Sequence, residues 1–294
     1  MRPDHPIAAA IALASALGLS ACTTPAAEPV ARRETVVAVT ASSQLIRFNA
    51  GAPAKLLSTK ALTGLQPGEQ VLGIDYRVAK GWLYAVGSTN RLYRINTITA
   101  IATPVGERFA VPLTGNHFGV DFNPTVDRLR IVSDTGQSLR VHPDTAALVD
   151  GDAVAAGIQI DGPLAYATGD PADEQRPAIV AIAYTYNKVD EKLTTNFALD
   201  ASAGALVTLG SREGKTPAVS PDSGHLFTVG TLGAGPFAQA AFDIADVGGV
   251  AFAALTAADA HESRWVEVDL ATGAARVIGA IGGGEAVIGI AIEP

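Results

Sequence analysis

Short runs in which apolar and polar residues alternate follow one another along most of the chain. In DRLRIVSD, residues 127–134, Leu129 and Ile131 alternate with Arg128 and Arg130. A period of two is typical of β-strands that bury one face, and Gly, Pro, Asn and Asp between the runs are residues that favour turns. The pattern therefore predicts an all-β fold.

One of these runs recurs as a marker: a small residue, an apolar residue, Asp, then an aromatic or apolar residue. VLGIDY (71–76) and HFGVDF (117–122) place Gly73 and Gly119 46 positions apart. Weaker versions are PLAYAT (163–168), AQAAFDIA (238–245) and AVIGIAIEP (286–294). Four strands in about 46 residues is typical of one β-propeller blade. The five markers predict five blades, the fourth with two long loops. Six blades is the alternative, since the interval from Ala165 to Ala241 could hold two.

A second marker, a turn with Asn, Asp or His before small residues, is expected between the third and fourth strands of each blade. Its copies are FNAGA at 48, INTITA at 95, VHPDTA at 141, LDASAG at 199 and VDLATG at 268. Residues 33–58 supply only three strands, whereas VIGIAI near the C-terminus is a strand without a blade. We therefore expect the C-terminal strand to pair with the N-terminal blade and close the ring, which removes an open sheet edge.

The N-terminal region carries an uncharged run, IAAAIALASALGLSAC, from Ile7 to Cys22. It is shorter than the roughly 20 residues of a membrane span and fits the core of a signal peptide. Its end, LSAC, resembles the lipobox of bacterial lipoproteins, and Cys22 is the single cysteine of the chain. Residue 23 is Thr and not Asp, and an Asp at this position would resemble an inner-membrane retention signal. Thr23 therefore favours the outer membrane as the destination. We predict a lipoprotein signal peptide (1–21), a lipidated Cys22 opening a tether (22–34) and a propeller domain (35–294).

This assignment predicts an exported outer-membrane lipoprotein that faces the periplasm or the cell surface, attached to the membrane by its N-terminal lipid. The formal net charge is −8 and the isoelectric point is about 5.1. An acidic chain without a basic stripe cannot neutralise phosphates, which argues against a nucleic-acid partner.

The stretch 117–150 is dense in charged residues, and the marker repeats an aspartate as Asp75, Asp121 and Asp243. We favour a structural interpretation in which Asp121 bonds a neighbouring backbone near the axis and Asn123 makes a turn. Arg128 and Arg130 then lie at strand ends or on the face opposite Ile131, and pair with Asp127 and Asp134 between blades. The alternative places the three aspartates and Asn123 around a divalent cation such as Ca²⁺ at the channel mouth.

Several longer segments together resemble the DUF4394 family of uncharacterised bacterial propeller-like proteins. They are GVDFNPTVDRLRIVSDTGQSLRV from 119, PAIVAIAYTYN at 177–187, GHLFTVGTLG at 224–233 and VDLATGAARVIGAIGG from 268. The resemblance extends from residue 36 to the end. It implies a propeller fold and leaves the activity open.

Three functions remain. We favour a non-enzymatic binding or scaffold protein for an unknown protein, peptide or glycan, because no catalytic motif or metal-spaced histidine pair occurs. No dedicated metal or cofactor is then expected. The second is a metal-dependent hydrolase, such as a lactonase, using the carboxylates at the channel mouth. A quinone-bearing redox propeller is disfavoured because only Trp82 and Trp265 offer indole rings.

Overall fold

Five β-sheets surround a central axis in the computed structural model, which describes Met1 and residues 30–294. Blade 1 contains β1 (Thr35–Thr40), β2 (Gln44–Asn49) and β3 (Ala52–Ala61). Blade 2 contains β4 (Val71–Arg77), β5 (Trp82–Gly87), β6 (Arg91–Asn96) and β7 (Ile101–Val105). Blade 3 contains β8 (Phe118–Asn123), β9 (Arg128–Ser133) and β10 (Ser138–Val141).

Blade 4 contains β11 (Ala165–Tyr166), β12 (Ile179–Tyr184), β13 (Asn196–Asp200), β14 (Ala205–Leu209) and β15 (His225–Thr231). A 3₁₀ turn, Pro221–Ser223, precedes β15. Blade 5 contains β16 (Gln239–Ile244), β17 (Ala251–Thr256), β18 (Arg264–Val268) and β19 (Ala275–Ala280). The last strand, β20 (Val287–Ile292), returns to blade 1. The predicted all-β propeller with five blades is confirmed, and the six-blade alternative is wrong.

The C-terminal strand closes the ring. β20 is the innermost strand of blade 1 and pairs antiparallel with β1, with Val36 opposite Ile292 and Ala38 opposite Ile290. The predicted closure is confirmed. Because β20 completes blade 1, the inner edge of β1 is covered by a strand.

The five innermost strands, β20, β4, β8, β12 and β16, approach one another closely around the axis. Each has a small residue at one equivalent position: Gly73, Gly119, Ala181, Ala241 and Gly289. A Cβ added to Gly119 would lie 2.6 Å from the Ile182 nitrogen, closer than real Cβ atoms come. The glycines of the marker therefore permit the contact between inner strands.

Two sequence markers were assigned wrongly in blade 4. PLAYAT forms β11, a two-residue strand at the outer edge that runs parallel to β15. The inner strand of this blade is β12, which is buried throughout and lacks the polar alternation that would identify it. LDASAG lies between β13 and β14, the second and third strands, rather than between the third and fourth.

The N-terminal segment is held at the seam between blades 1 and 5. The Arg32 backbone N–H donates to Asn49 Oδ1, and its guanidinium binds Glu267 at 2.6 Å and lies over the Phe252 ring. β1 runs antiparallel to β20, so this segment leaves the domain at the end of the axis where the inner strands finish. Among the described residues, no helix is long and apolar enough to cross a bilayer. Cys22 and, apart from Met1, the predicted signal peptide lie outside the described residues.

Candidate functional site

A cavity of about 350 Å³ lies at the end of the axis where the inner strands finish, and we call it the channel mouth. Its wall consists of the ends of inner strands and the loops that follow them. Its lining residues are Asp75–Ala79, Asp121–Pro124, Asp127, Tyr184, Tyr186, Glu191, Asp243, Ile244, Asp246 and Ile292. The mouth is therefore built from blades 2 to 5 and from β20, the closing strand of blade 1.

The structure brings Asp75, Asp121 and Asp243 together at the floor of the channel mouth. One carboxylate oxygen from each lies within 4.8 Å of those of the other two, and all three side chains are buried. They occupy the same position on β4, β8 and β16, two residues beyond the small residue at the axis. Ala183 and Ala291 take this position on β12 and β20. The repeated marker thus produces a three-carboxylate cluster in a five-fold ring.

Each of these aspartates also binds the neighbouring blade. Asp75 Oδ2 accepts from the Phe122 N–H at 2.7 Å, and Asp121 Oδ1 accepts from the Tyr184 N–H at 3.0 Å. Asp243 Oδ2 accepts from the Ile292 N–H at 2.6 Å. The expected bond from Asp121 to a neighbouring backbone is present. Because Ala183 and Ala291 have no carboxylate, the corresponding seams, between blades 4 and 5 and between blades 1 and 2, lack this bond.

Burial raises the pKa values of the three carboxyl groups. The pKa of Asp121 is raised well above its usual value by desolvation and by the charges of Asp75 and Asp243. That of Asp75 is raised by desolvation and by the charges of Asp243 and Asp246, and desolvation raises the pKa of Asp243 to about 8. No ion pair joins any of the three to a cationic side chain among the described residues. Each backbone hydrogen bond opposes the shift without cancelling it.

The rim of the channel mouth adds further acidic and aromatic residues that the sequence analysis did not single out. Asp246 follows β16, and desolvation raises its pKa to about 6. Tyr186 and Glu191 lie on the loop between β12 and β13, whose Lys188 donates to the Val247 carbonyl on blade 5. No short motif marks these residues. The length of the loop that carries two of them is their only sequence signal.

The one arginine that lines the mouth, Arg77, is engaged in the wall. Its guanidinium donates to Asp127 at 2.8 and 2.6 Å and to Asp144 at 2.5 Å, and its side chain is 5% exposed. Asp127 therefore pairs with Arg77 across the seam between blades 2 and 3. The predicted pairing of Asp127 with Arg128 or Arg130 is wrong.

The remaining residues singled out from the sequence divide by location. Asn123 lines the mouth, and its Oδ1 accepts from the Thr125 N–H within the β8–β9 turn. Arg128 donates to the Val126 and Asp127 carbonyl oxygens, and Asp134 Oδ1 accepts from the Asn116 N–H. Asp134 follows β9 beside the start of β8, away from the mouth. Neither Arg128 nor Asp134 lines the cavity.

Arg130 is buried rather than placed at a strand end, which corrects the expectation from alternation. Its guanidinium donates to Asp161 at 2.7 Å, to Ser138 at 2.9 Å and to Asp222, and Nε donates to the Tyr184 hydroxyl at 2.7 Å. The Arg130 and Asp161 side chains are each 1% exposed. Tyr184 lines the mouth, so this network orients one of its wall residues. Ser133 is buried too.

Comparisons with known proteins bear on family and fold. A family model described as "Domain of unknown function (DUF4394)" matches residues 44–291. No curated protein sequence matches the chain.

Solved structures that resemble it include three of low sequence identity. A structural genomics protein of unknown function from Bacteroides thetaiotaomicron VPI-5482 shares 14% identity, with 82% of this chain and 56% of that chain covered and a TM-score of 0.44. Myxococcus xanthus glutaminyl cyclase shares 13%, with 81% and 83% covered and a TM-score of 0.42. The dihydro-heme d1 dehydrogenase NirN in complex with DHE shares 9%, with 84% and 43% covered and a TM-score of 0.34. The chain thus spans little more than half the length of the first of these, and none informs on function.

Proposed function

The chain belongs to the DUF4394 family, and we propose that it is a calcium-dependent binding protein whose channel mouth holds the cation. One observation carries the proposal: carboxylate oxygens of Asp75, Asp121 and Asp243 converge within 4.8 Å in a buried site. Like charges at this separation cannot all ionise without a counter-charge. A divalent cation supplies that charge.

The donor set and its spacing fit Ca²⁺. Calcium binds six to eight oxygen atoms at about 2.3–2.6 Å, so two of its ligands can stand up to about 5 Å apart. Three carboxylate oxygens within 4.8 Å satisfy this limit. Water molecules would complete the coordination.

Asp121 supports the site independently of the clustering. Its side chain is about 4% exposed and lines the cavity, and only Oδ1 receives a hydrogen bond, from Tyr184. No donor among the described residues contacts Oδ2. This oxygen is open to the cavity and is left free to bind a cation there.

The proposed role joins this site to the N-terminal signal. LSAC at residues 19–22 supports a lipid on Cys22, which would hold the propeller at the outer membrane as a binding or scaffold protein for a peptide, protein or glycan. The cation would present a fixed positive charge at the floor of an otherwise acidic mouth.

Calcium titration of the purified protein by calorimetry tests the proposal. We expect one site per chain, and at least a tenfold loss of affinity in each of Asp75→Asn, Asp121→Asn and Asp243→Asn. The matched control is Asp134→Asn, a change of the same type at a residue outside the mouth, which should bind like the parent. Absence of calcium binding in the parent, or equal binding by all four variants, would refute the cation site.

A metal-dependent hydrolase remains the second candidate, and one observation favours it. Asp246 lines the same cavity as the three aspartates and supplies the separate carboxylate that such a mechanism requires. Turnover of simple lactones and aryl esters with and without Ca²⁺ tests this activity. Calcium-dependent hydrolysis that is lost in Asp246→Asn, while calcium binding persists, would favour the hydrolase over the binding protein.

A further inference from the structure

We propose that the channel mouth recognises a primary ammonium group above the cation site, either on a small free amine or at the end of a lysine side chain. This inference rests on the proposed cation site and names the class of ligand that the site takes. The charge, the aromatic surface and the volume of the cavity each support this inference.

The charge balance of the mouth favours a positive ligand. Five carboxylates line the cavity and form no ion pair with any residue of the described part of the chain: Asp75, Asp121, Asp243, Asp246 and Glu191. A single Ca²⁺ neutralises two of these charges, so an acidic surplus remains. Arg77 cannot offset it, because Asp127 and Asp144 already bind its guanidinium. Desolvation raises the pKa of Asp246 and the charge of Lys188 only partly opposes this rise, since the Lys188 ammonium group donates to the Val247 carbonyl at the rim. An anionic ligand would meet this surplus, whereas an ammonium group is attracted to it.

The side chains around the surplus charge offer acceptors and ring faces. When they are ionised, Asp246 and Glu191 can accept hydrogen bonds but cannot donate them, so the ligand must supply the donors. Tyr186, on the same loop as Glu191, is 40% exposed and lines the cavity. Phe122 and Tyr184 line the cavity too, but their rings pack into the wall, against Tyr84 and Arg130 respectively. The face of an aromatic ring attracts a cation, whereas it does not attract a neutral hydroxyl group in this way.

The cavity volume limits the ligand to a small molecule or one side chain. At about 350 Å³ it holds on the order of ten water molecules at roughly 30 Å³ each. An alkylammonium chain fits this volume, and a folded partner does not. The loop from β12 to β13 reaches blade 5 at the rim through the Lys188 contact.

Three probes of equal chain length test the inference: 1-pentylamine, 1-pentanol and pentanoate, titrated into the full-length protein in saturating calcium and followed by NMR. We expect the amine to bind at least tenfold more tightly than the alcohol, and pentanoate to bind more weakly than either. Nα-acetyl-lysine amide forms a second arm, which separates a peptide side chain from a free amine. Preference for either source supports ammonium recognition.

Variants assign the interaction to the rim. Glu191→Gln and Asp246→Asn should each weaken pentylamine binding about tenfold and leave calcium affinity within twofold, and Tyr186→Ala should weaken it severalfold. Glu262→Gln, on the loop between β17 and β18, is the matched control.

Equal or tighter binding of pentanol or pentanoate would overturn the inference. Displacement of calcium by the amine would overturn it too, since the ammonium group would then bind Asp75, Asp121 and Asp243 at the floor of the channel mouth. The calcium titration without amine reports separately on the cation site.

Discussion

The Asp121 carboxylate on blade 3 accepts a hydrogen bond from the Tyr184 backbone N–H on blade 4, over 3.0 Å. The same carboxylate belongs to the three-oxygen cluster at the floor of the channel mouth. One side chain therefore joins two blades and supplies a charge to the candidate cation site. Substitutions can separate these two roles.

Asp121→Asn and Asp121→Ala should differ in stability. Asn keeps an oxygen that accepts from Tyr184 while removing the charge, whereas Ala leaves a buried N–H without a partner, at a cost of about 1–3 kcal/mol. We expect urea unfolding in the presence of a chelator to show that cost for Ala and little change for Asn. Calcium should stabilise neither variant. Equal losses for the two variants would contradict the role of the backbone bond.

The free energy of unfolding in the absence of calcium should fall as the pH rises from about 5 to 8. The folded state raises the Asp243 pKa from 3.8 to about 8 and the Asp246 pKa to about 6, so it binds more protons than the unfolded state in this range. Stability therefore decreases with pH across this window. Carboxyl groups with lowered pKa, such as Glu69, act with the opposite sign and at lower pH.

Melting temperatures at pH 5 and pH 8, each with chelator and with calcium, measure this effect. Calcium should raise the melting temperature more at pH 8, because the carboxylates it binds are already deprotonated there. Asp121→Asn should show a shallower pH dependence than the parent. A melting temperature in chelator that increases between pH 5 and pH 8 would be the contrary result.

Asp161→Ala should strongly destabilise the domain. The substitution leaves the Arg130 guanidinium buried after loss of its 2.7 Å partner, and breaking such a pair costs about 3–5 kcal/mol. Glu293→Ala is the matched control, because its pair with Arg47 is 30–38% exposed and contributes at most about 1 kcal/mol. Chemical unfolding of both variants provides the measurement. Similar losses would show that burial of the Arg130 pair has no energetic consequence.

Deletion of residues 287–294 should destabilise the whole domain rather than one blade. It removes β20, exposes the inner edge of β1 and takes away the Ile292 N–H that binds Asp243. We expect aggregation or a melting temperature lower by more than about 10 °C, since a loss of several kcal/mol shifts it by at least that much. A deletion of the last residue, Pro294, is the control. Unchanged melting of the longer deletion would mean that closure contributes nothing.

Cys22→Ser should release the protein from the membrane. A lipid on this residue is the proposed anchor, and serine cannot accept it. We expect the parent in the membrane pellet and the variant in the soluble fraction or retained as an unprocessed precursor. Membrane fractionation after a high-salt wash gives the answer, with Thr23→Ser as the control. A variant that still pellets as a processed form argues against lipidation.

The fold was predictable wherever the physical signal is local or repeated. Alternating strands and the turn residues after Asn49 and Asn96 depend on near neighbours in the chain. The marker at Gly73 and Gly119 reflects close packing between blades, and its repetition at a constant spacing made it readable. β12 was not identified as an inner strand, because its residues are buried on both faces and because Ala183 replaces the aspartate of the marker. Periodicity carries no information for a strand of this kind.

The candidate site was predictable in its floor and not in its rim. The repeated aspartate places Asp75, Asp121 and Asp243 at one level of the ring. Whether they share a cation depends on convergence in space, which spacing does not encode. The partners of Arg130, which include Asp161 and Asp222, lie 31 and 92 positions away, so its burial has no local signal.

The exit point of the N-terminal segment has a further consequence for access. Arg32 fixes this segment at the end of the domain that carries the channel mouth, and only residues 23–29 separate Cys22 from Val30. Fully extended, seven residues reach roughly 25 Å. On the proposed anchoring, this reach keeps the end of the domain that carries the mouth close to the lipid surface. Small molecules and extended chains then reach the mouth more easily than bulky folded proteins do.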